Sequence, residues 1–421
     1  MNTPASELPD HSVAPGAQGP LSGLRVVDFS HFIAGPFCSM TLADMGAEVI
    51  KIEPPGGEGF RKYGPSRPEL NNEGAAFLWA NRNKKGIVLD LKCPQGAAVA
   101  RDLIRTADVV IENFSAGVMA RLGLDEARLR AEQPNLIYCA ITAYGQSGPF
   151  ADRLGFDPVV QAESGFMSLN GEADEAGMRT QPVIMDISTG MMATNAILAA
   201  LLARSVSGKG QRVDVSLYGT ALAMLGWAPT QYLVSGAAPE RMGNASTDSA
   251  PGGIFHASDT AFFLSSPSTR IFQRLARSVG LPDMADDPAL LDPARRIARR
   301  AEIECALQEK FSQYPWAHWE PVLRAGNVPA GRLQSLAEAL QSDVTRASGI
   351  VTRIDHPTAG KIPNIALPLH FSGTPTVAPV AAPAIGAHTR DVLLALEGYD
   401  ATRLTALAKT GAFGPPDQAL T

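Results

Sequence analysis

Cysteine is scarce in this 421-residue chain: Cys38, Cys93, Cys139 and Cys305 are its four, far apart and in no CxxC spacing. A zinc ribbon or a thioredoxin-type redox motif is thereby excluded, and free, buried thiols in a reducing compartment are the expectation. Histidine is also sparse. His11, His31, His256, His318, His356, His370 and His388 include no i, i+4 pair and no HExxH, so no metal site is expected. GxGxxG after the first strand, GxxxxGK[ST] and GxSxG are missing too, which demotes plain dinucleotide, ATP and α/β-hydrolase chemistry. Positive charge is in deficit, with 36 Lys and Arg against 42 Asp and Glu for a net charge of −6. A nucleic-acid face is therefore not expected, although a few local cations suffice to hold a small anion.

Long apolar runs are absent as well. The uncharged stretches 187–203 and 215–239 are broken by Ser188, Thr189, Gly190, Thr194 and Asn195, and by Pro229, Gln231 and several glycines. Neither is the continuous apolar segment of about 20 residues that a bilayer span needs, and both read as structure buried in a soluble protein. No membrane partner is expected. The first basic residue is Arg25, so residues 1–24 lack the charged start of a signal peptide. Residues 1–20 read as a disordered polar tail, and the cytoplasm as the location.

What is present is alternation. LRVVDF, EVIKIE, GIVLDL, DVVIENF and NLIYCAITAY read as strands separated by helical stretches such as PFCSMTLADMGA and PQGAAVARDLIRTA. That order argues for an α/β domain with a mostly parallel sheet, its ligand at loops on the carboxyl ends of the strands. From about residue 225 the texture becomes loop-rich, then charged and helical. The PARRIARRAEIECALQEKF region, with its basic cluster, reads as a solvated face. The expected division is a large domain over 21–224, a small domain over 225–345, and a C-terminal segment, 346–421, that returns to the large domain.

Three segments carry candidate chemistry. SHFIAGPFCSM follows the first strand and opens a helix; Gly35 and Pro36 suit a simple turn, and the same backbone amides suit an anion such as a pyrophosphate. Arg82, Lys84, Lys85 and Lys92 surround a short strand as either a solvated face or a phosphate clamp, and Asn113 with Arg121 offers a further polar cradle. Asp186 heads an uncharged helix. Asp186 or Ser188 is a natural N-cap, and a partly dehydrated carboxylate kept ionised by the helix dipole is equally a covalent nucleophile. Gly190 close by would let a substrate approach the backbone. Arg61, Lys62 and Arg241 read as surface cations ahead of readers of a second carboxylate.

These segments belong to an ordered series: LSGLRVVDFSHFIAGPF, GAEVIKIEPPGGE, NRNKKGIVLDLK, DVVIENFSAGVMARLG, ITAYGQSGPF, GFDPVVQAESG, GKGQRVDVSLYG, GNVPAGR, PLHFSGTP and IGAHTRDVL. With them the chain resembles the family III CoA-transferases (CaiB/BaiF type), the group that includes formyl-CoA:oxalate and carnitine CoA-transferases and the α-methylacyl-CoA racemases. The resemblance implies a Rossmann-like open parallel sheet in the large domain, a smaller α+β domain and an interlocked homodimer. It implies acyl-CoA and a carboxylic acid as substrates, with no permanently bound cofactor. By position, Asp186 is implied as the catalytic aspartate. CoA contacts are implied at Ile33, Ala34, Leu89, Lys92, Asn113, Phe114, Ser115, Arg121, Thr142, Tyr144 and Gly145, which favours the clamp reading of residues 82–92.

Departures narrow the expectation. Ile33 stands where formyl-CoA transferase has a glutamine, Thr142 where it has a lysine and Pro54 where it has an arginine, and Ala387 replaces a frequent glutamate. Phe156 occupies the place of the racemase histidine, and a phenyl ring exchanges no proton, so transfer is expected over racemisation. The alternatives are an acyl-CoA racemase or epimerase, and a non-catalytic CoA-binding protein. The implied route runs through an aspartyl anhydride and an aspartyl-CoA thioester, with succinyl-CoA as a donor and the N–H groups beside Asp186 stabilising the oxyanions.

Overall fold

The computed structural model describes residues 7–14, 16–70 and 72–415. The chain divides into two units: residues 1–160, 182–224 and 343–421 form the first, and residues 161–181 and 225–342 the second. Residues 161–181, placed in the large domain by the sequence reading, thus group with the second unit.

The first unit is built on six strands: β1 (Arg25–Asp28), β2 (Glu48–Glu53), β3 (Lys84–Val88), β4 (Val109–Glu112), β5 (Ile137–Thr142) and β6 (Arg212–Ser216). They pair in the order β3-β2-β1-β4-β5-β6, and every pairing is parallel. This is the doubly wound Rossmann order, whose topological switch point lies between β1 and β4. Val26, Val27, Val49, Ile50, Val109, Val110 and Ile111 are buried, as expected of a parallel sheet covered on both faces. Edge strand β6 is different. Its residues are largely exposed or half-buried, and Arg212 and Asp214 pair on it, charges that discourage pairing with another sheet.

The helices are α1 (Ala34–Asp44), α2 (Ala75–Ala80), α3 (Pro94–Ile104), α4 (Val118–Arg121), α5 (Glu126–Glu132), α6 (Asp157–Glu163), α7 (Ile184–Ser207) and α8 (Leu217–Met224). The C-terminal segment covers the β3 edge: His388 N–H donates to the Gly86 carbonyl, and Val88 N–H to Thr389 Oγ1. Its Val392, Leu393, Leu404 and Phe413 enter the main core with Val27, Ile50, Leu103 and Val110. Each such side chain contributes about 1.5–3 kcal/mol on full burial.

Several charges that look superficial in the sequence are buried beneath this sheet. Lys84 Nζ lies 3.2 Å from Asp28 Oδ2, Lys51 Nζ 2.7 Å from Glu58 Oε1, and Arg82 Nη2 2.6 Å from Asp44 Oδ2. Burial alone would raise the Asp28 carboxyl, but Lys84 and Lys51 hold it down at about 2. Arg61 pairs with Glu53 and Glu73 and lies over the Phe77 ring. Arg61 is therefore neither a surface cation nor free for substrate.

Helix α7 is 24 residues long, longer than the uncharged run suggests. Among the described residues it is the one helix long and apolar enough to cross a membrane, and 44% of its most apolar stretch is buried. Its inner face packs on α1. Met191, Met192, Leu202 and Val206 are exposed, so the chain alone leaves uncovered an apolar face that the sequence reading places in the interior.

The second unit has a three-stranded antiparallel sheet, Gly252–His256, Ala261–Ser265 and Ala330–Arg332, with helices packed on Phe255, Phe262, Phe272, Phe311 and Trp319. The charged region is two helices, Pro293–Ala298 and Arg300–Phe311. Arg296 is buried there rather than solvated, donating to the carbonyls of Ala250 and Leu290. Arg241 clips the backbone at Glu172 and Ser168.

Of the expected tail, residues 1–6 and 15 lie outside the described residues. Asp10 is held against the strand Val351–His356 by Arg353, so that part is docked rather than free. All four thiols are unpaired, with Cys38 and Cys139 buried, Cys93 half-buried and Cys305 exposed, the last against expectation. Among the described residues no cluster of three or more His, Cys, Asp or Glu is arranged to hold a metal.

Candidate active site

The β1–α1 loop and α7 meet at two small residues. A Cβ on Gly190 would lie 2.6 Å from the Ala34 carbonyl oxygen, so only glycine lets α7 approach α1 this closely. The space that the sequence reading reserves for substrate at Gly190 is filled by protein. Gly35 has a similar role, since a Cβ there would lie 2.2 Å from Ser30 Cβ. The left-handed residue of the turn is Phe32, at φ 63°, whose N–H donates to Glu58 Oε2 at 2.9 Å.

One turn before Gly190 stands Asp186. The N-cap of α7 is Val183, which supplies no side-chain cap, and neither Asp186 nor Ser188 fills that role. The cap comes from Asp157, 2% exposed, whose Oδ2 accepts Met185 N–H at 2.7 Å and Asp186 N–H at 3.3 Å. Ile184 and Ile187 N–H donate to Pro182 and Val183 carbonyls. The amides of the first turn are thus engaged, and oxyanion stabilisation by them, expected from the sequence, is not available in this arrangement.

The Asp186 side chain makes no ion pair among the described residues. Burial and the neighbouring Asp157 charge push its carboxyl up to about 7. The helix dipole, expected to keep it ionised, is outweighed by these two effects. Half-protonated near neutrality and poorly solvated, it becomes a strong nucleophile once ionised.

At the switch point Asn113 follows β4 and clasps the loop after β1: its Oδ1 accepts His31 N–H and its Nδ2 donates to the His31 carbonyl, both at 2.8 Å. Phe114 packs on the core and meets the His31 ring edge-on at 5.3 Å. Ser115 and Arg121 are exposed, and Ile33 is the uncapped N-cap of α1. After β5, Thr142 Oγ1 accepts Gly145 N–H at 3.0 Å, Gly145 takes φ 104°, and the Tyr144 ring lies 5.9 Å from that of Tyr218.

The sheet therefore brings Ile33, Ala34, Asn113, Phe114, Ser115, Thr142, Tyr144 and Gly145 to one edge. The remaining candidates fare differently. Leu89 is wholly buried in the main core, so its side chain meets no ligand. Arg82 and Lys84 are bound in buried ion pairs and Lys85 in a half-exposed pair with Glu48, which corrects the clamp reading of the 82–92 segment. Lys92 alone of that group projects as an exposed cation without an ion pair among the described residues. Phe156 adjoins Asp157, and its ring lies 6.4 Å from Phe32, which in turn lies 6.1 Å from Tyr63. These exposed rings form an aromatic wall. The sequence reading missed Asp157 as a functional residue; its only local signal is an acidic residue opening a helix.

A doubly wound sheet with its switch point at the loops after β1 and β4, and a half-buried aspartate without an ion pair among the described residues near the start of α7, define an α/β protein of the Rossmann type. The chain belongs to CoA-transferase family III, whose sequence profile matches residues 21–389. It is 37% identical over 393 residues to the succinate–glutarate CoA-transferase of Agrobacterium fabrum, covering 92% of this chain and 98% of that one. It is 33% identical to the succinyl-CoA:glutarate CoA-transferase of Mus musculus, covering 93% and 90%. Among solved structures, a CaiB/BaiF family protein from Brucella suis matches with a TM-score of 0.80 and 34% identity, covering 90% of this chain and all of that one. The chain is accordingly a CoA-transferase acting on acyl-CoA and carboxylate substrates.

Proposed function

We propose that this enzyme carries CoA from succinyl-CoA to a dicarboxylic acid of the glutarate class, with Asp186 as the covalent relay. The observation that carries the mechanism is the Asp186 carboxylate itself: half-buried, without an ion pair among the described residues, and crowded by Asp157. The substrate class rests on the names of the two relatives above.

The ionised Asp186 attacks the donor thioester carbonyl and expels CoA thiolate, leaving a mixed anhydride. The thiolate attacks the aspartyl carbonyl of that anhydride, releasing succinate and leaving Asp186 as a CoA thioester. The acceptor carboxylate attacks this thioester, again freeing thiolate and forming a second anhydride. The thiolate then takes the acceptor's acyl group, and Asp186 is regenerated as a carboxylate. One thioester replaces another, so the exchange needs no external energy source.

The CoA seat in this reading runs along the carboxyl edge of the sheet, over Ile33, Ala34, Asn113, Phe114, Ser115, Thr142, Tyr144 and Gly145. Lys92 and Arg121 face its phosphates, and Leu89 contributes backbone alone. A second copy of the chain, intertwined with the first, would cover the apolar face of α7, and the pair would act in the cytoplasm.

An exchange screen tests the substrate class. Succinyl-CoA is mixed with glutarate, oxalate, formate and a branched monocarboxylic acid, and each new thioester is measured. Glutaryl-CoA and succinate forming fastest and in equal amounts is the expected result. Faster exchange into oxalate or formate, or none into glutarate, would overturn it.

A further inference from the structure

Glu112 ends β4 and is 3% exposed, yet among the described residues it makes no ion pair. Its carboxylate instead serves two donors on two different loops. Oε2 accepts Phe114 N–H at 2.9 Å, and Oε1 accepts the Gln146 side-chain amide at 3.1 Å. The first donor lies in the segment 113–115 after β4, the second just past the segment 142–145 after β5. A glutamine in this place keeps one acceptor oxygen for Phe114 N–H and turns a donor towards the Gln146 donor, so the present pairing is lost unless the Gln146 amide turns over. A buried carboxylate without a cation is costly, and this one spans the gap between the loops that flank the proposed CoA seat.

We infer that Glu112 is a positioning residue for CoA: by accepting from Phe114 and Gln146 together, it fixes the spacing of the loops after β4 and β5 that receive the CoA moiety. The inference rests on the seat proposed above. It brings a pH dependence with it. Burial pushes the Glu112 carboxyl up to about 7, and Arg212 and Asp214 on β6, two strands away, and Tyr138 on β5 act on it electrostatically. Protonation turns one oxygen into a hydroxyl that no longer serves an N–H donor, and one loop is released.

Binding of free CoA, which requires no chemistry, tests this by calorimetry at pH 6 and pH 8 on the full-length protein. Glu112→Gln is expected to weaken binding about tenfold at pH 8 and less than about twofold at pH 6, as loss of a hydrogen bond to a charged acceptor predicts. The ratio to wild type cancels the titration of CoA itself. In turnover the variant raises KM for acyl-CoA while kcat stays within about twofold. Gln146→Ala weakens binding at pH 8 in the same direction, and the double variant binds no worse than Glu112→Gln. Equal affinity of Glu112→Gln and wild type, a loss identical at both pH values, or additive losses in the double variant would each overturn the inference. Wild-type protein that binds no CoA would overturn the proposed seat instead.

Discussion

Asp157 Oδ2 accepts the backbone N–H of Asp186 at 3.3 Å, so one carboxylate holds the turn that carries the other while raising the cost of its charge. The pair has opposed roles: Asp157 fixes the proposed nucleophile in place and makes it reluctant to ionise.

The first prediction concerns pH and turnover. In the proposed mechanism attack requires the Asp186 anion, so kcat/KM for the donor should rise with pH up to about 7, the value to which burial and Asp157 push this carboxyl. In Asp157→Asn the amide oxygen still accepts an N–H, and the neighbouring negative charge is gone. The acid limb of the profile then moves to lower pH, only part of the way towards an ordinary carboxylate because burial is the larger cause. A limb that stays in place, or moves up, contradicts the coupling.

Stability is the second. The folded state keeps the Asp186 proton up to about pH 7, whereas the unfolded chain releases it near the ordinary value of 3.8. Stability therefore declines as pH rises through that window and levels off above it. Asp186→Asn has no proton to lose. Its melting temperature should match wild type near pH 4 and exceed it by about 1–4 °C at pH 8. Thermal melts at both pH values check this, and a stabilisation independent of pH speaks against it.

Packing gives the third. Gly190→Ala places a methyl 2.6 Å from the Ala34 carbonyl and 3.1 Å from the Phe37 ring. Helix α7 must move off α1, at about 1–3 kcal/mol as for other overpacked sites. Because Asp186 lies one turn away, kcat should drop far more than stability requires. Denaturant melts with parallel assays decide it, and full activity in this variant would show that the helix contact does not position the nucleophile.

How much of this was legible in the sequence varies with the distance over which each feature is determined. Strand β2 occupies the six residues of EVIKIE, because an alternation of apolar runs and turns is local. Strand β3 begins at Lys84, two residues before the apolar run, because Lys84 is neutralised by Asp28, which is remote in sequence. The same blindness made Arg61 look like a surface charge and Arg82 like part of a phosphate clamp, since a sequence shows a cation and not its partner. The place of Asp186 in the first turn of a helix is legible in the sequence. Its cap is not, because Asp157 reaches it across 29 positions. The exposed face of α7 reads as core for a related reason: hydropathy shows that a face is apolar, and not whether this chain folds over it.

Covalent capture of Asp186 is the most direct test of the account. The enzyme is incubated with succinyl-CoA, treated with borohydride and digested, and the peptide that spans α7 is weighed. An aspartyl-CoA thioester is reduced to the alcohol, so conversion of Asp186 to homoserine that depends on succinyl-CoA is the predicted result, with exchange abolished in Asp186→Ala. An unmodified Asp186 peptide together with full exchange activity in Asp186→Ala would contradict the account.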